Sequence, residues 1–504
     1  MSKIKRILDS VHGTIFVEKE FFNLIDTPAF QRLRRVEQTS TRSIFPSARH
    51  DRFVHSLGVF HIGSEIVGHL KNETKKLDIY NEEEFKLIFK AYKVACLLHD
   101  VGHSPFSHTF EKYFGEKEEL CEQLATELNR DSFSVDVWEV IEKAKNNKNI
   151  LPKEHECTSA ILCCRDVLKS HIKRISRVED GSFLEMVVRM ITGIKYTTDT
   201  GIDSIRNCFI DLLHGEVDAD RIDYACRDTW AAGYSTTKVD ARSLVSCIHI
   251  SKKPDNSNAF CVCFDKRALA EIENMFGVKN FQKRHVFCHH TVVYEQYLFE
   301  KAVIEMAKRK YGGSDKEAMH KIFSVDSLTE NKDREFHFLC DDDIIHLLKA
   351  DSNNVYYKEW NSHKYVKIPL WKSVEEFLQL FPMAKGKLHE IKDFDKRMAE
   401  SINEILKGYT FSKIDDEYEK IYVKENKIDI NNDLSHIKVL INNHVVNYDM
   451  IEPIGESSPT KELYFYYVYI ALPQNDRDGN IIPVSQFRAQ MQSQMEQIIK
   501  KIYE

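Results

Sequence analysis

The segment Leu97-Leu-His-Asp-Val-Gly-His-Ser-Pro-Phe-Ser-His108 constrains this chain more than any other. It follows an apolar stripe at helical spacing, formed by Phe85, Ile88, Phe89, Tyr92, Ala95 and Cys96. His99 continues that stripe. It therefore points inward, where a histidine is costly unless it is paired or ligating. Asp100 follows at once, and Gly102 and Pro105 end or bend the helix. Taken alone, such a pair reads as a core histidine beside a capping aspartate. Two further segments change that reading. Arg52-Phe-Val-His-Ser-Leu-Gly58 opens a helix on which His55, Val59, Ile62, Ile66 and Leu70 share one face, so His55 is also directed to the core. In Glu216-Val-Asp-Ala-Asp-Arg-Ile-Asp-Tyr-Ala-Cys-Arg-Asp228, the residues Asp220, Tyr224 and Asp228 are four apart and share a face. Inward histidines with inward aspartates make a mixed nitrogen and oxygen site. Such a site suits Mn, Fe, Zn or Mg better than a soft metal.

The chain around these segments is a globular protein by composition, with 42% hydrophobic and 30% charged residues. At 504 residues it is too long for one ordinary compact domain. A net charge of −7 makes nucleic acid an unforced partner. The start MSKIKRILDSVHG has no long apolar stretch, so no signal peptide is expected. The most apolar late run, Leu463 to Leu472, is about half the length that a membrane helix needs and reads as a buried strand. Twelve cysteines without a C-x-x-C pair or zinc-type spacing read as free thiols in a reducing cytoplasm.

The expected architecture is mainly α. A helical catalytic core over 1–310 precedes a smaller α+β lobe over 311–504, with the boundary near Gly312-Gly313. Residues 20–310 read mainly as helices, with exposed loops at 143–153 and 173–182. Ile437 to Val446 and Leu463 to Leu472 read as strands. Asp476-Arg-Asp-Gly-Asn480 reads as a hairpin turn before Ile481-Ile482, and Ser485 to Tyr503 as a final helix.

The pattern H…HD…D resembles the HD superfamily of metal-dependent phosphohydrolases. A closer likeness rests on Asp9-Ser-Val-His-Gly-Thr-Ile15, Ile25-Asp-Thr-Pro-Ala-Phe-Gln-Arg-Leu-Arg34, His50-Asp-Arg-Phe-Val-His-Ser-Leu-Gly58, His99 to His108 and Asp218 to Asp228. Their order and spacing resemble the deoxynucleoside triphosphate triphosphohydrolases over about residues 3–300. By that resemblance the metal ligands are His55, His99, Asp100 and Asp220. The reaction it implies is attack on the α-phosphorus by water activated on a divalent cation, giving a deoxynucleoside and triphosphate. His108 matches the general-acid position, and His103, His155 and Glu156 match other pocket residues. Glu111 stands where the family usually has aspartate. Arg52 and Arg221 match triphosphate-binding positions, where a guanidinium fork suits phosphate. Gln38, Tyr224 and Asp228 match residues that contact the sugar.

Two positions depart from the family's sugar pocket. Thr39 replaces a bulky aliphatic residue and Phe287 replaces a tyrosine, which opens the question of a 2′-hydroxyl. Lys5, Asp26, Gln31 and Arg34 match a guanine-nucleotide activator site between subunits, so a guanine-nucleotide activator and a tetramer are expected. Phe45 matches a second activator site, but several of the basic positions expected around 265–271 do not match. An HD phosphohydrolase acting on ribonucleotides or a signalling nucleotide is an alternative. A nucleotide-gated, oligomeric nucleic-acid-binding protein is an alternative of another class.

Overall fold

The computed structural model describes residues 4–503 apart from 40, 130–136, 138, 140–150, 178–180, 235–237, 255–257, 383–387, 412–417, 431–433, 435, 443, 451–460 and 476–480. The turn expected at 476–480, most of the loop expected at 143–153 and part of the stretch at 173–182 lie outside the described residues. The chain is mainly helical, with a smaller α+β part.

Two compact units interleave along the sequence. One comprises Met1–Val278, Met306–Ala350 and Asp433–Glu456, and the other comprises Lys279–Glu305, Asp351–Asn432 and Ser457–Glu504. This differs from a single cut after residue 310.

In the first unit, β1 (Ile4–Asp9) and β2 (Gly13–Glu18) form an antiparallel pair. Long helices follow. Asp51 caps Arg52–Thr74 by accepting from the Val54 amide at 3.0 Å. Asn81 caps Glu82–Leu98, whose first turn carries three glutamates that complement the helix dipole. The stripe Phe85, Ile88, Phe89, Tyr92, Ala95 and Cys96 is buried, as its spacing predicts. So are His55, Val59, Ile62, Ile66 and Leu70. Asp218 caps Ala219–Ala231 through the Arg221 amide at 2.7 Å.

The expectation of a mainly helical stretch over 20–310 misses the antiparallel pair β3 (Ile248–Lys252) and β4 (Phe260–Asp265). Alternate burial along β3 is the period-2 signal of a strand. The single strand expected over Ile437 to Val446 is a hairpin, β7 (Lys438–Ile441) and β8 (His444–Asn447). Asn442 breaks it by taking a left-handed conformation at φ 50°. β7 adds in parallel to β4, so the sheet order is β3-β4-β7-β8. These residues, assigned by sequence to the C-terminal lobe, therefore belong to the first unit.

In the second unit, β5 (Lys367–Pro369) and β6 (Ile421–Ile430) flank β9 (Lys461–Ala471) in a three-stranded antiparallel sheet. The run expected as a buried strand is thus the central strand. Trp371 is fully buried and donates its indole N–H to the Tyr466 carbonyl at 2.6 Å. The final helix is Val484–Tyr503.

The turn after Leu98 is held from three sides. Arg32, itself buried, donates to the carbonyls of Val101 (2.9 Å), His103 (2.7 Å) and Leu339 (2.8 Å). Gly102 lies against the helix Glu154–Cys164, and a Cβ there would sit 2.2 Å from the Ser159 backbone nitrogen. Asp341 accepts from the Glu37 amide at 2.9 Å and the Phe106 amide at 2.7 Å. Phe106 and Ser107 both take positive φ, 55° and 52°. Such conformations cost about 1 kcal/mol or more for residues with a side chain and persist only where the surroundings impose them.

Candidate metal centre

Three elements bring the predicted ligands together. His55 lies in the first turn of Arg52–Thr74, His99 and Asp100 end Glu82–Leu98, and Asp220 opens Ala219–Ala231. The two imidazoles face each other through their Nε2 atoms, 3.3 Å apart. Asp220 Oδ1 lies 2.9 Å from His55 Nε2 and 3.7 Å from His99 Nε2. Asp100 flanks them, with Oδ2 3.5 Å from His55 Nε2 and Oδ1 3.4 Å from His99 Nε2.

The donor chemistry fits a cation. Each histidine has its Nδ1 engaged elsewhere, His55 with Asp223 Oδ2 at 2.7 Å and His99 with the Cys96 carbonyl at 3.0 Å. That fixes the tautomers and leaves both Nε2 lone pairs on one point, where they repel unless a proton or a cation lies between them. One donor atom each from His55, His99 and Asp220 lies within 4.8 Å of the others. Burial alone depresses the His55 imidazole, but hydrogen bonds to Asp220 and Asp223 outweigh it and raise its pKa to about 10. Burial opposes charge on Asp220 too, and its bonds to His55 and His99 hold it well below the usual carboxylate range. The same carboxylates that favour a proton here favour a metal, and ligation displaces that proton.

Asp223 was not singled out from the sequence. It is fully buried and binds His55 Nδ1, His12 Nε2 (2.6 Å) and the Arg227 guanidinium (2.8 Å). Arg227 in turn reaches Asp9 at 2.9 Å. The only sequence signal was its place three residues after Asp220. Gly58 makes room for this network, since a Cβ there would lie 1.9 Å from Asp223 Oδ1. Substituting a carboxylate that orients a metal-bound histidine typically weakens metal affinity 10- to 100-fold. Asp223→Asn is therefore expected to weaken divalent-metal binding by about 10- to 100-fold. Titration calorimetry against Mn²⁺, with circular dichroism confirming the fold, measures it.

A second cluster adjoins the first. Asp100 Oδ1 lies 3.2 Å from His103 Nε2. Glu111 Oε1 lies 2.6 Å from His103 Nδ1 and 3.2 Å from His155 Nδ1, and Glu111 Oε2 lies 3.0 Å from His108 Nδ1. The His103 and His155 rings stack at 4.2 Å. Burial, reinforced by Arg52, lowers the His103 pKa to about 4. Burial would raise Glu111, but the charges of His155 and His103 dominate and hold it well below its usual range. His108 is 65% exposed and so is the member open to a substrate. Glu156 stands apart from this group, accepting from the Lys153 amide at 2.8 Å.

The other predicted positions are placed as follows. Arg52 is buried and donates to Asp100 Oδ2 (2.6 Å) and Ser107 Oγ (2.9 Å). Arg221 pairs with Glu216 at 2.6 Å and Asp218 at 3.4 Å. Gln38 is buried, and its Oε1 has no hydrogen-bond partner among the described residues. Thr39 shares a hydrogen bond with Thr41 at 3.1 Å. Asp228 binds His50 Nε2 at 2.8 Å, and Tyr224 lies one turn earlier on the same helix. Phe287 lies in the second unit, at the end of the π-helical turn Lys283–Phe287. Lys5 pairs with Asp26 at 2.8 Å, and Arg34 donates to Gln31 Oε1 at 2.9 Å while stacking on Phe53. Phe45 packs edge-on against Tyr234. A cavity of about 950 Å³ lies beside His12, His61, Trp230 and Arg242, and its lining includes none of the four predicted ligands. The ligand geometry therefore locates the centre better than the cavity does.

Residues 52–167 match the HD domain family model. An uncharacterized protein of Methanocaldococcus jannaschii is 26% identical over 308 residues, 61% of this chain and 51% of that protein. A deoxynucleoside triphosphate triphosphohydrolase SAMHD1 homolog of Dictyostelium discoideum is 41% identical over 110 residues, 22% of this chain and 20% of that protein. The aligned part thus spans about half, or less, of the length of the curated relatives. The crystal structure of a phosphohydrolase from Bacteroides thetaiotaomicron has the same fold, with a TM-score of 0.61 at 19% identity over 93% of this chain and all of that one (100%). The chain thus contains an HD domain over residues 52–167, is similar over part of its length to SAMHD1 homologs, and carries a His/Asp cluster that can hold a metal.

Proposed function

We propose that the chain hydrolyses deoxynucleoside triphosphates to deoxynucleoside and triphosphate. The observation that carries this reading is the convergence of His55 Nε2, His99 Nε2 and Asp220 Oδ1 beside Asp100, with the His103, His108, Glu111 and His155 cluster joined to it through Asp100. His55, His99, Asp100 and Asp220 would hold a divalent cation, Mn, Fe, Mg or Zn. When bound, it supplies Lewis-acid activation of water and offsets charge on the phosphoryl oxygens.

The chain's own groups do the rest. His108 gives a proton to the departing 5′-oxygen, which is otherwise a poor leaving group. Glu111, 3.0 Å from His108 Nδ1, orients the ring. The buried His103 and His155 fix Glu111 in turn. Glu156 steadies the start of the helix that carries His155. Arg52 and Arg221 meet the triphosphate, where a planar fork binds phosphate oxygens in pairs. Gln38 Oε1, which has no hydrogen-bond partner among the described residues, offers with Tyr224 and Asp228 acceptors to sugar hydroxyls. Thr39 is small and carries a hydroxyl, which favours a second reading in which ribonucleotides are also cleaved.

Lys5, Asp26, Gln31 and Arg34 bind a guanine nucleotide that activates the enzyme, and the active form is a tetramer. A carboxylate accepts from the guanine N1 and N2 donors, and a guanidinium donates to O6 and N7. Phe45 offers an aromatic surface to a second nucleotide. Twelve free cysteines support the reading of a reducing, cytoplasmic setting. No helix among the described residues is long and apolar enough to cross a membrane.

The test is an assay of each dNTP and NTP, with and without GTP, with products resolved by phosphorus NMR. Inorganic triphosphate from dNTPs supports the reading. Orthophosphate or pyrophosphate as the sole phosphorus product rejects it. Stimulation by GTP that disappears in Asp26→Ala supports the activator site, and equal rates with and without GTP reject it.

A further inference from the structure

A third group of potential ligands lies outside the centre described above. Near the C-terminal end of the helix Arg52–Thr74, His69 and Glu73 are four residues apart and share a face. His249 on β3 meets them, with Nδ1 2.9 and 3.1 Å from the two Glu73 carboxylate oxygens. The His69 and His249 rings are 6.0 Å apart. One donor atom from each of the three residues lies within 4.8 Å of the others. The side chains of His249 and Glu73 are 19% and 32% exposed.

Two features go beyond a simple ion pair. His69 Nε2 lies 3.0 Å from the Ile248 carbonyl, which can only accept a hydrogen bond. The proton therefore sits on Nε2, and Nδ1 presents a lone pair. A backbone carbonyl that fixes the tautomer in this way is the usual support of a metal-bound histidine. His249 Nε2 is buried and has no hydrogen-bond partner among the described residues. A single Glu–His pair leaves both of these nitrogens unexplained.

We propose that His69, Glu73 and His249 form a second divalent-metal site of the zinc class, which ties the helix Arg52–Thr74 to β3. Two imidazoles and one carboxylate suit Zn²⁺ and its borderline neighbours, whereas Mg²⁺ and Ca²⁺ prefer all-oxygen shells. Bonds of about 2.0–2.1 Å to a tetrahedral ion put ligand atoms about 3.3 Å apart, so small rotamer changes close the cluster. Water completes the coordination. Cys263 is the cross-strand neighbour of His249 and is buried, so the thiol beside the site is shielded from solvent.

The site is tested with zinc chloride on the full chain, by metal content after dialysis and by zinc-dependent thermal shift. Wild type is expected to hold one zinc equivalent more per chain than His69→Ala or His249→Ala. Both variants should keep wild-type phosphohydrolase activity. Glu73→Gln should weaken this zinc binding at least tenfold. His99→Ala should lose a different equivalent, so His69→Ala/His99→Ala loses two. Equal zinc content and equal thermal shift in wild type, His69→Ala and His249→Ala overturn the proposal. If His249→Ala does not fold, His69→Ala decides alone.

Discussion

Replacing His99 with alanine is expected to lower phosphohydrolysis by at least about 10³-fold, the equivalent of several kcal/mol of lost charge stabilisation. His99 contributes one of two opposed Nε2 atoms, 3.3 Å apart, and its Nδ1 is held by the Cys96 carbonyl. Alanine removes a donor that no neighbouring side chain can replace. His55 and Asp220 then remain as a histidine–carboxylate pair, which favours a proton over a metal. Divalent-metal content should therefore fall together with rate, while circular dichroism stays unchanged. Loss of activity with full metal content would show that His99 acts other than as a ligand.

Arg32→Ala is expected to have the largest effect on stability of any substitution outside the centre. Arg32 touches no predicted ligand, yet its guanidinium holds the carbonyls of Val101, His103 and Leu339. Burial lowers its pKa to about 10, so it stays charged at neutral pH. Alanine leaves three buried acceptors unpaired at about 1–3 kcal/mol each, which are not additive, so a loss of about 3–5 kcal/mol is expected. Arg32→Lys should rescue little, because one ammonium cannot match the fork that spans three carbonyls. The chain folds as two compact units, so a single unfolding free energy is poorly defined. Hydrogen exchange of amides 97–108 is the apt measurement. Protection lost by less than about tenfold, or about 1.4 kcal/mol, would contradict this account of the turn.

The inward direction of His55 and His99 was legible in the sequence because both lie on helices with clear apolar faces, whereas the proposed ligand set came from the family resemblance. His55 and His99 continue stripes whose other members are all buried. Period and inward direction were therefore readable before any fold was known. Asp223 was not legible, because an aspartate on a charged helix reads as a solvated partner for Arg227. It does pair with Arg227, but its other oxygen contacts reach His12 and His55, which are distant in sequence. The same holds for Arg32, whose partners are carbonyls that no residue type announces. The strand pair β3–β4 was missed inside a helical stretch. β7 pairs with β4 across more than 170 residues, which local pattern cannot foresee. That pairing draws residues 438–447 into the first unit and produces the interleaved division. The His69, Glu73 and His249 group escaped for a related reason. Two of its members share a helix, and the third arrives on an unforeseen strand.

The central claim is that water attacks the α-phosphorus at the His55, His99, Asp100 and Asp220 centre. Hydrolysis of a dNTP in ¹⁸O-labelled water, followed by mass spectrometry of the products, tests it most directly. The account predicts inorganic triphosphate carrying one ¹⁸O, an unlabelled deoxynucleoside, and neither product above background with His99→Ala. Label in the deoxynucleoside, or label confined to orthophosphate or pyrophosphate, would contradict it.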